Sequence, residues 1–533
     1  MKLLRVHVIA AATCGGLLDG LDLRMRSSNY ADSPFDPLCL VGPNGSGKSQ
    51  FLQVVAEMFQ SAFVACVPGE ERIEGNPDLL FELEFVTRSE PEQPQSHVKV
   101  SREKHGKGKP RVTILKRDGE EWRICELTPT TARLLPSRVV GYSSGDNATL
   151  SLPFLQSRRG YAKDVSQRAF EDKARTEAIP ETRLLFIDYG THLEVLVANL
   201  ILGSEELRGA LLSDVRVNRL RSFRCIVQLA HAAAPKVKRG ERSGIQITRE
   251  LAAHIDNLRR CATCYDYDPK TETHILDYWV SEATRSAFAT FWSDALSLYS
   301  SFHKLAMLND LALPRPTRKQ FERDTKNRRF ATRLPEPQEA DKVFRFERVE
   351  FASQDEGGSL DYVSLSDGEH QLMQVQGILS MLWEDNVLFL LDESESHFNP
   401  EWRVKFVSRL RELPTARGTR GAEGISQDYL LTTHAPFLPS DLRRESVLIF
   451  GKSKGEVTVR RPNIETYGST YDTILEDCFG VVPPISQVAR DDIARLLKST
   501  NREEVATGLE RLGHSVKRAI LADHLRQLGQ DPI

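Results

Sequence analysis

The sequence predicts an α/β protein built around an open sheet. Three observations predict it: a glycine-rich loop between an apolar strand and an apolar helix, a second apolar strand that ends in two acids, and a third that ends in a histidine. Polar residues at strand ends are typical of ligand sites in open α/β sheets. With 533 residues, 40% hydrophobic and 27% charged, and a formal net charge of −3, the chain can form a large core and two or three structural units.

The glycine-rich loop carries the most specific motif. The stretch 37–51 reads PLCLVGPNGSGKSQF and has phosphate-loop spacing, in which a buried strand enters a glycine-rich turn that opens a helix. The loop glycines are Gly42, Gly45 and Gly47. They let backbone N–H groups approach a triphosphate, which a Cβ would obstruct. Lys48 is expected to reach the β- and γ-phosphates and Ser49 to ligate Mg²⁺, so the loop predicts nucleotide binding rather than a mere flexible turn.

Two further strand ends complete the predicted site. The apolar run 387–391 ends in Asp392 and Glu393, and the run 429–433 ends in His434. Two acids at the carboxyl end of a buried strand suit hydrolysis of a magnesium nucleotide, with Asp392 holding Mg²⁺ and Glu393 polarising the attacking water. Structural acids at a strand end are the alternative. His434 is expected to sense the γ-phosphate or orient the water, although a capped core histidine would have the same pattern.

The segment Ser366-Asp367-Gly368-Glu369 precedes an apolar helix and has two interpretations. Serine and an acid at a helix start form an N-cap that satisfies free backbone N–H groups and suits the helix dipole. The same geometry can receive a phosphate, because a helix N-terminus offers unpaired donors to an anion. Its position before the acidic strand favours the phosphate interpretation, with Ser366 and Gly368 as contacts.

The remaining elements follow in chain order. An N-terminal hairpin is expected to lead into the phosphate-loop strand, followed by an antiparallel sheet and a core strand. That strand ends in the loop Gly141-Tyr142-Ser143-Ser144-Gly145, at a position where nucleotides usually bind in open α/β sheets, although a plain turn explains it almost as well. A largely helical region without coiled-coil heptads is expected up to about residue 340. The strand 344–351 should then return the chain to the core, and a closing hairpin should precede C-terminal helices. The segments are LLRVHVI and GLDLRM for the N-terminal hairpin, LLFELEFV, HVKVSRE and RVTILKR for the antiparallel sheet, and RVVGY for the core strand. The predicted helices of the following region are THLEVLVANLIL, LRSFRCIVQLAHAA, ITRELAAHIDNLRRC and FATFWSDALSLYSSFHKLA. The returning strand is FRFERVEF, the closing hairpin is SVLIFGKSKGEVTVRR, and the C-terminal helices are SQVARDDIARLLK and EVATGLERLGHSVKRAILADHL.

Two basic connections punctuate the region predicted to be helical. One is 235–243, PKVKRGERS, and the other is 314–333. The cations of the second are Arg315, Arg318, Lys319, Arg323, Lys326, Arg328, Arg329 and Arg333. Such a local excess fits a contact with a nucleic-acid backbone, and an exposed solvated segment fits equally well.

The first 16 residues and the cysteines bear on the compartment. MKLLRVHVIAAATCGG has features of a signal peptide, but Arg5 and His7 interrupt its apolar run, so an edge strand is the preferred interpretation. The eight scattered cysteines suit a reducing cytoplasm, and no apolar run approaches the roughly 20 residues of a membrane span. Cys261 and Cys264 form one CxxC pair, for which a helix-end pair of small residues is a better interpretation than a metal site.

The motifs taken together resemble a known family. Phosphate loop, LSDGE, LLDE and TTHAPF in this order resemble the ABC-type ATPase heads of SMC and DNA-repair proteins and of overcoming-lysogenization-defect-like ATPases. Within that group, CLVGPNGSGKS, RVVGYSSG, SLSDGEHQ, DESESHFNPEW and TTHAPFLPSD resemble restriction-system-associated ATPases, which include those of the Septu and retron anti-phage systems. One departure is that no glutamine after the GYSSG strand can be assigned as the family's Q-loop residue.

The resemblance implies an architecture and a function. It implies a P-loop NTPase head of ABC type with an antiparallel β subdomain and a large helical insertion. The implied domains are 1–160 for the first half of the head, 161–340 for the insertion, 341–470 for the second half and 471–533 for a C-terminal helical segment.

The activity that it implies is ATP hydrolysis with Mg²⁺. Two heads of a homodimer or higher oligomer would enclose ATP, with Lys48, Ser49, Asp392 and Glu393 from one subunit and Ser366 and Gly368 from the other. Asn44 and Gln50 belong to the implied nucleotide-binding loop. The implied partners are an HNH-type nuclease subunit and nucleic acid, either DNA or a retron RNA-DNA, with no membrane.

Other functional classes fit less well. A self-contained nuclease would need an acidic D-x-D strand end, but Asp491 and Asp492 lie in a helical pattern. His231, His254 and His274 are too dispersed to indicate a nuclease site. A structural DNA-repair head would carry a long coiled coil and a zinc hook, and a transporter ATPase would carry a far smaller insertion.

Overall fold

The structure is a computed structural model with a mixed α/β fold. It describes the chain except residues 13–14, 27–34, 89–94, 105, 107, 146–147, 170–177, 189–190, 231–243, 327–334, 354–357, 416–417, 421–425, 454 and 530–533. The chain forms two compact units, Met1–Tyr467 and Gly468–Ile533. The finer domain limits at 160, 340 and 470 stay a prediction.

The secondary structure comprises the following elements. The strands are β1 (Lys2–Ala10), β2 (Leu21–Arg24), β3 (Leu38–Val41), β4 (Leu80–Thr87), β5 (Ser96–Glu103), β6 (Arg111–Asp118), β7 (Glu121–Cys125), β8 (Arg138–Ser143), β9 (Leu184–Ile187), β10 (Val217–Gln228), β11 (Cys264–Asp268), β12 (Thr273–Trp279), β13 (Phe344–Ser353), β14 (Ser359–Asp361), β15 (Val387–Asp392), β16 (Pro414–Thr415), β17 (Gly418–Thr419), β18 (Asp428–Thr432), β19 (Val447–Ser453) and β20 (Glu456–Arg460). The helices are α1 (Lys48–Cys66), α2 (Ala148–Arg168), α3 (His192–Leu202), α4 (Glu205–Leu212), α5 (Arg249–Cys261), α6 (Glu282–Phe291), α7 (Ala295–Met307), α8 (Arg315–Lys326), α9 (Asp367–Met381), α10 (Pro400–Glu412), α11 (Phe437–Ser440), α12 (Tyr471–Phe479), α13 (Gln487–Leu496), α14 (Arg502–Glu510) and α15 (Val516–Gln527).

A seven-stranded sheet forms the centre of the first unit. Its order is β20-β19-β3-β18-β15-β8-β9, and all neighbours are parallel except β19 and β20. Strands β3, β15 and β18 are buried at every residue, as continuous apolar runs in a parallel sheet should be. The register places Thr432 opposite both Asp392 and Leu40, and Ser143 opposite Asp392. The predicted core strands therefore end together at one edge.

A six-stranded antiparallel sheet lies beside this core, as predicted. Its order is β2-β1-β4-β5-β6-β7, and alternate residues of β4 are buried. The core residues of this sheet and of α1 form one cluster, in which the Phe59 and Phe85 rings lie 5.6 Å apart. The hairpin of β1 and β2 is confirmed. The assignment of the N-terminal segment as an edge strand is wrong, because β1 pairs with both β2 and β4.

The region predicted as largely helical contributes three strands, β10, β11 and β12, to a five-stranded antiparallel sheet of order β11-β12-β10-β13-β14. The segment LRSFRCIVQLAHAA is therefore not a helix: its residues up to Gln228 belong to β10, and His231 lies outside the described residues. The apolar residues Leu220, Phe223 and Ile226 fit a helical period, but Phe223, Cys225 and Val227 also alternate as in a strand. Pairing with β12 and β13 on both sides selects the strand.

Two other elements differ from expectation in the sheet they join. The strand FRFERVEF exists as β13, but it pairs with β10 and β14 rather than returning to the parallel core. Strand β9, within the predicted helical insertion, instead extends the seven-stranded sheet beside β8. The parallel pairing continues because Leu184–Ile187 is a fully buried apolar run.

Several helices of that region are confirmed. THLEVLVANLIL forms α3 and ITRELAAHIDNLRRC forms α5, which starts at the N-cap Thr248. FATFWSDALSLYSSFHKLA forms the end of α6 and all of α7 except its last residue. The break between them occurs because Asp294 accepts the Ser297 N–H at 2.8 Å in a capping box that starts α7.

The second unit is helical, as the C-terminal sequence predicts. Helices α13, α14 and α15 pack around Leu496, Val505 and Leu521. Asp491 and Asp492 lie within α13, as expected from their pattern. Among the described residues of the chain, none of the helices combines the length and apolarity needed to cross a bilayer.

A buried ion pair fastens the antiparallel sheet to the parallel core. The Asp428 carboxylate at the start of β18 has no exposed side-chain surface and accepts hydrogen bonds from Arg26 Nη2 at 2.7 Å and Nη1 at 3.0 Å. It also accepts the Leu3 backbone N–H at 2.7 Å. A carboxylate of the parallel sheet is thus held by one residue of the antiparallel sheet, Leu3, and by one that follows its strand β2, Arg26.

We expect Asp428→Ala to lower the free energy of unfolding by about 1–3 kcal/mol, because the buried Arg26 guanidinium loses two hydrogen bonds and the Leu3 N–H loses this acceptor, while Asp36 still pairs with Arg26 at 3.2 Å. Denaturant titration followed by circular dichroism measures the loss. The matched control is Asp22→Ala, which removes a doubly hydrogen-bonded arginine pair whose carboxylate is 45% exposed, with an expected loss below about 1 kcal/mol. Equal losses in the two variants would contradict the role given to the buried pair.

Candidate functional site

The glycine-rich loop connects β3 to α1 at the carboxyl edge of the parallel sheet. Gly42 has φ 134°, and a Cβ there would lie 2.1 Å from the Phe450 carbonyl oxygen of β19. Gly47 has φ 97°, and its Cβ would lie 3.2 Å from Val457 and 3.3 Å from Leu18. Both glycines are therefore required by packing within the fold, in addition to the ligand approach that the motif predicts.

The other predicted loop residues form the open side of the turn and the first turn of α1. Asn44 and Gly45 are exposed, and Gln50 is half-buried. Lys48 is buried, and its Nζ donates to the carbonyl oxygens of Gly42 at 2.9 Å and Pro43 at 3.2 Å. Its ammonium is thus folded against the loop that would surround an anion.

Burial lowers the pKa of Lys48 to about 8, and the nearby carboxylates of Asp392 and Glu393 only partly oppose this effect. The structure therefore places a lysine, an aspartate and a glutamate close enough to interact electrostatically. The three come from the two motifs that the sequence analysis assigned to one site.

Ser49 and Asp392 make the central contact of the site. The Ser49 hydroxyl lies 2.9 and 3.0 Å from the two carboxylate oxygens of Asp392. The Thr432 hydroxyl, at the end of β18, donates to Asp392 Oδ1 at 2.6 Å. Adjacent carboxylate and hydroxyl oxygens are the hard ligands that Mg²⁺ takes, with water and phosphate completing its shell. Ser49 and Asp392 therefore fit the predicted magnesium site.

Glu393 adopts an unusual backbone conformation beside this pair. Its φ is 52°, in the left-handed region that a non-glycine residue rarely adopts. Its carboxylate Oε1 lies 3.3 Å from His434 Nε2, and both side chains are partly exposed. The hydrogen bond with His434 lowers the pKa of Glu393, so the carboxylate is ionised at neutral pH. The structure thus brings the predicted acid and histidine together at the open edge of the sheet.

The predicted phosphate-receiving segment starts α9. Ser366 is the N-cap and forms a capping box with Glu369, whose carboxylate accepts from the Ser366 N–H and hydroxyl at 2.8 Å each. Arg216 also contacts this carboxylate, at 3.2 Å. Burial alone would raise the pKa of Glu369, but the bonds from Arg216 and Ser366 lower it to about 2. Both interpretations of the segment therefore stay open: the cap is present, and Ser366 is exposed.

Gly368 has a packing role within the same subunit. A Cβ on it would lie 2.9 Å from the His397 carbonyl oxygen, in the loop that follows Glu393. The start of α9 therefore packs directly against that loop. The sequence predicts Gly368 only as a phosphate contact.

Three residues of the site were missed from the sequence. Thr432 lies in a strand that the sequence predicts as apolar. Its hydroxyl, opposite Asp392 in the predicted sheet, is a signal that could have identified it as a site residue. Gln371 lies in a helix that the sequence predicts as apolar, and its side-chain Nε2 donates to the Glu393 carbonyl oxygen at 3.1 Å. Arg216 precedes β10 and had no local signal, because its contact to Glu369 depends on the tertiary fold.

The loop after β8 also reaches the site. The Ser144 N–H lies 3.4 Å from the Asp392 carbonyl oxygen, so the GYSSG segment does end beside the acidic strand, as expected of a loop at a core strand end. The residue that would serve as a Q-loop glutamine stays unassigned.

The basic and cysteine-containing segments lie elsewhere. Part of 314–333 forms α8, in which Phe321 is buried beneath the Arg159 guanidinium at 3.4 Å. The segment 235–243 lies outside the described residues, as do Arg328, Arg329 and Arg333. Cys261 ends α5 and is buried, which raises the pKa of its thiol to about 12, whereas Cys264 starts β11 and is exposed. His254 lies near Glu250 and His274 near Tyr265, so neither joins the site.

Comparison with known proteins adds no assignment to this geometry. No protein-family model matches the sequence, and no curated protein matches it. The functional argument therefore depends on the residues themselves.

Proposed function

We propose that the chain binds ATP with Mg²⁺ and hydrolyses it. The observation that carries this proposal is the contact of Ser49 with Asp392 at 2.9 Å, because it joins a phosphate-loop hydroxyl to the acid of a separate strand. Lys48 and Glu393 lie beside that pair, and Glu393 is paired with His434. A lysine, a hydroxyl and two acids with different environments are the parts that phosphoryl transfer to water requires.

Each residue has a distinct role in the proposed reaction. Lys48 would exchange its loop carbonyl partners for the β- and γ-phosphate oxygens, while the loop N–H groups from Asn44 to Gln50 bind the same phosphates. Ser49 and Asp392 would hold Mg²⁺, which neutralises phosphate charge when bound. Glu393 would accept a proton from the water whose oxygen attacks the γ-phosphorus, as the bond to ADP breaks. His434 would hold the carboxylate of Glu393 toward that water.

The proposal extends to the fold family and the assembly. The glycine-rich loop, the acidic strand and the histidine strand are neighbours in the sheet, an arrangement that suits an ABC-type P-loop head. Ser366 caps a helix whose exposed start could receive the γ-phosphate of a second subunit, so ATP would join two copies.

The proposed biological role follows from the resemblance of the motifs. A chain of this kind would act as the ATP-driven switch of an anti-phage complex similar to Septu or retron systems. It would control a partner nuclease of HNH type on DNA or a retron RNA-DNA. The proposed ATP site supports one part of this role, the nucleotide-dependent switch. The partner nuclease and the nucleic acid are proposed from the resemblance of the motifs alone.

We expect Lys48→Ala to weaken binding of a non-hydrolysable ATP analogue at least about tenfold, because removal of one charge-assisted phosphate contact costs about 1.5–3 kcal/mol. Fluorescence titration with a labelled analogue measures the dissociation constant. Lys405→Ala is the matched control, since Lys405 is half-exposed and pairs with Glu401 on α10. Unchanged affinity in the Lys48 variant would show that the loop does not bind the triphosphate.

We expect Glu393→Gln to retain ATP and Mg²⁺ but to release phosphate at least about a hundredfold more slowly, because the amide cannot accept the water proton. Phosphate release and filter-retained labelled ATP are measured on the same sample. Glu401→Gln serves as the surface control. Phosphate release at the wild-type rate would move the base function away from Glu393 and contradict the proposed reaction.

A further inference from the structure

The side chain of Gln371 bridges α9 to the loop that contains Glu393. Gln371 is 2% exposed and lies in the second turn of α9. Its Nε2 donates to the Glu393 carbonyl oxygen at 3.1 Å, and its Oε1 accepts the His397 N–H at 2.9 Å. A single amide therefore fixes both ends of the loop from 393 to 397.

Glu393, which is held in this way, has a strained backbone. A non-glycine residue at φ 52° is strained and keeps this conformation only where its surroundings hold it. The Glu393 N–H donates to Thr432 Oγ1 at 3.1 Å, and its carbonyl oxygen accepts from Gln371. Strand β18 thus holds one peptide group of Glu393, and α9 holds the other together with the Ser396 N–H, which donates to the same carbonyl oxygen at 3.1 Å. Loss of the Gln371 bond would leave this carbonyl oxygen with a donor from its own loop only and would weaken the hold of α9 on the Glu393 backbone.

The same helix begins at the segment proposed to receive a phosphate. Gly368, in its first turn, packs against the His397 carbonyl oxygen, and Gln371, in the next turn, holds Glu393. The capping residue Ser366, which directly precedes the first residue of α9, is exposed. Any shift of the helix start is therefore transmitted to the backbone of Glu393 through Gln371.

We propose that Gln371 is a positioning residue that keeps the Glu393 carboxylate in its reactive orientation and couples hydrolysis to the position of the α9 N-terminus. The proposal rests on the ATPase function proposed above. Gln371 touches the peptide of Glu393 rather than its carboxylate. Its effect should therefore fall on turnover and leave ATP binding intact.

The test compares variants of similar size. Gln371→Met keeps the side-chain volume and removes the hydrogen bonds to Glu393, Ser396 and His397, whereas Gln371→Glu keeps the acceptor for His397 and removes the donor to Glu393 and Ser396. We expect both to reduce kcat roughly ten- to hundredfold, since small misplacements of a catalytic group have effects of this size. The KM for ATP and the affinity for a non-hydrolysable analogue should change less than about twofold. Gln374→Met, one turn later, removes a bond to the Tyr142 hydroxyl at 3.1 Å and should keep its kcat.

A double variant distinguishes positioning from a general structural role. In the Glu393→Gln background, Gln371→Met should cause no further loss of kcat, because the group that it positions is already gone. Additive losses, an equal loss of ATP affinity, or wild-type kcat in Gln371→Met would each overturn the inference. If Glu393→Gln itself turns over normally, the proposed ATPase chemistry fails instead. The two failures are therefore separable in one set of assays.

Discussion

The site depends on the register of three neighbouring parallel strands, β3, β18 and β15. Because Thr432 lies opposite both Leu40 and Asp392, the glycine-rich loop, the hydroxyl and the acid all reach the same edge of the sheet. The Asp392 carboxylate is held by hydroxyls from both sides, Ser49 at 2.9 Å and Thr432 at 2.6 Å. A one-residue slip would turn these side chains to the opposite face of the sheet and remove the contacts. Full burial of the strands makes such a slip unfavourable, so the core and the site are specified by the same packing.

The residues around this edge of the sheet differ in backbone strain and in the contacts that hold them in place. The loop glycines are fixed by β19 and by the hairpin residues around Gly47, whereas Glu393 occupies a left-handed conformation that its neighbours must maintain. Support comes from Thr432 on the sheet and Gln371 on α9. The five-stranded sheet also approaches α9, through Arg216 and Glu369. This contact gives the segment that leads into the five-stranded sheet a physical route, through α9, to the proposed hydrolytic residue.

The sequence predicted most of the site but less of the surrounding fold. The motif residues could be predicted because each sits at the end of a continuous apolar run, and a buried parallel strand leaves that signal locally. Strand β10 could not be distinguished from a helix, because its apolar residues satisfy both periods and its partners β12 and β13 are remote in sequence. Gln371 was missed for a related reason: a glutamine within an apolar helix has no local signature of the backbone that it contacts. The ion pair of Arg26 with Asp428 likewise depends on two segments that only the fold brings together.

The central claim is that Ser49 and Asp392 form one magnesium-nucleotide site with Lys48. The most direct test is calorimetric titration of a non-hydrolysable ATP analogue with and without Mg²⁺, for the wild-type chain and for Asp392→Asn. The account predicts that Mg²⁺ tightens binding to the wild-type chain at least about tenfold and that Asp392→Asn loses most of this gain, because a neutral amide is a weaker ligand for a hard cation. Affinity that is independent of Mg²⁺, or a gain that Asp392→Asn retains in full, would contradict it.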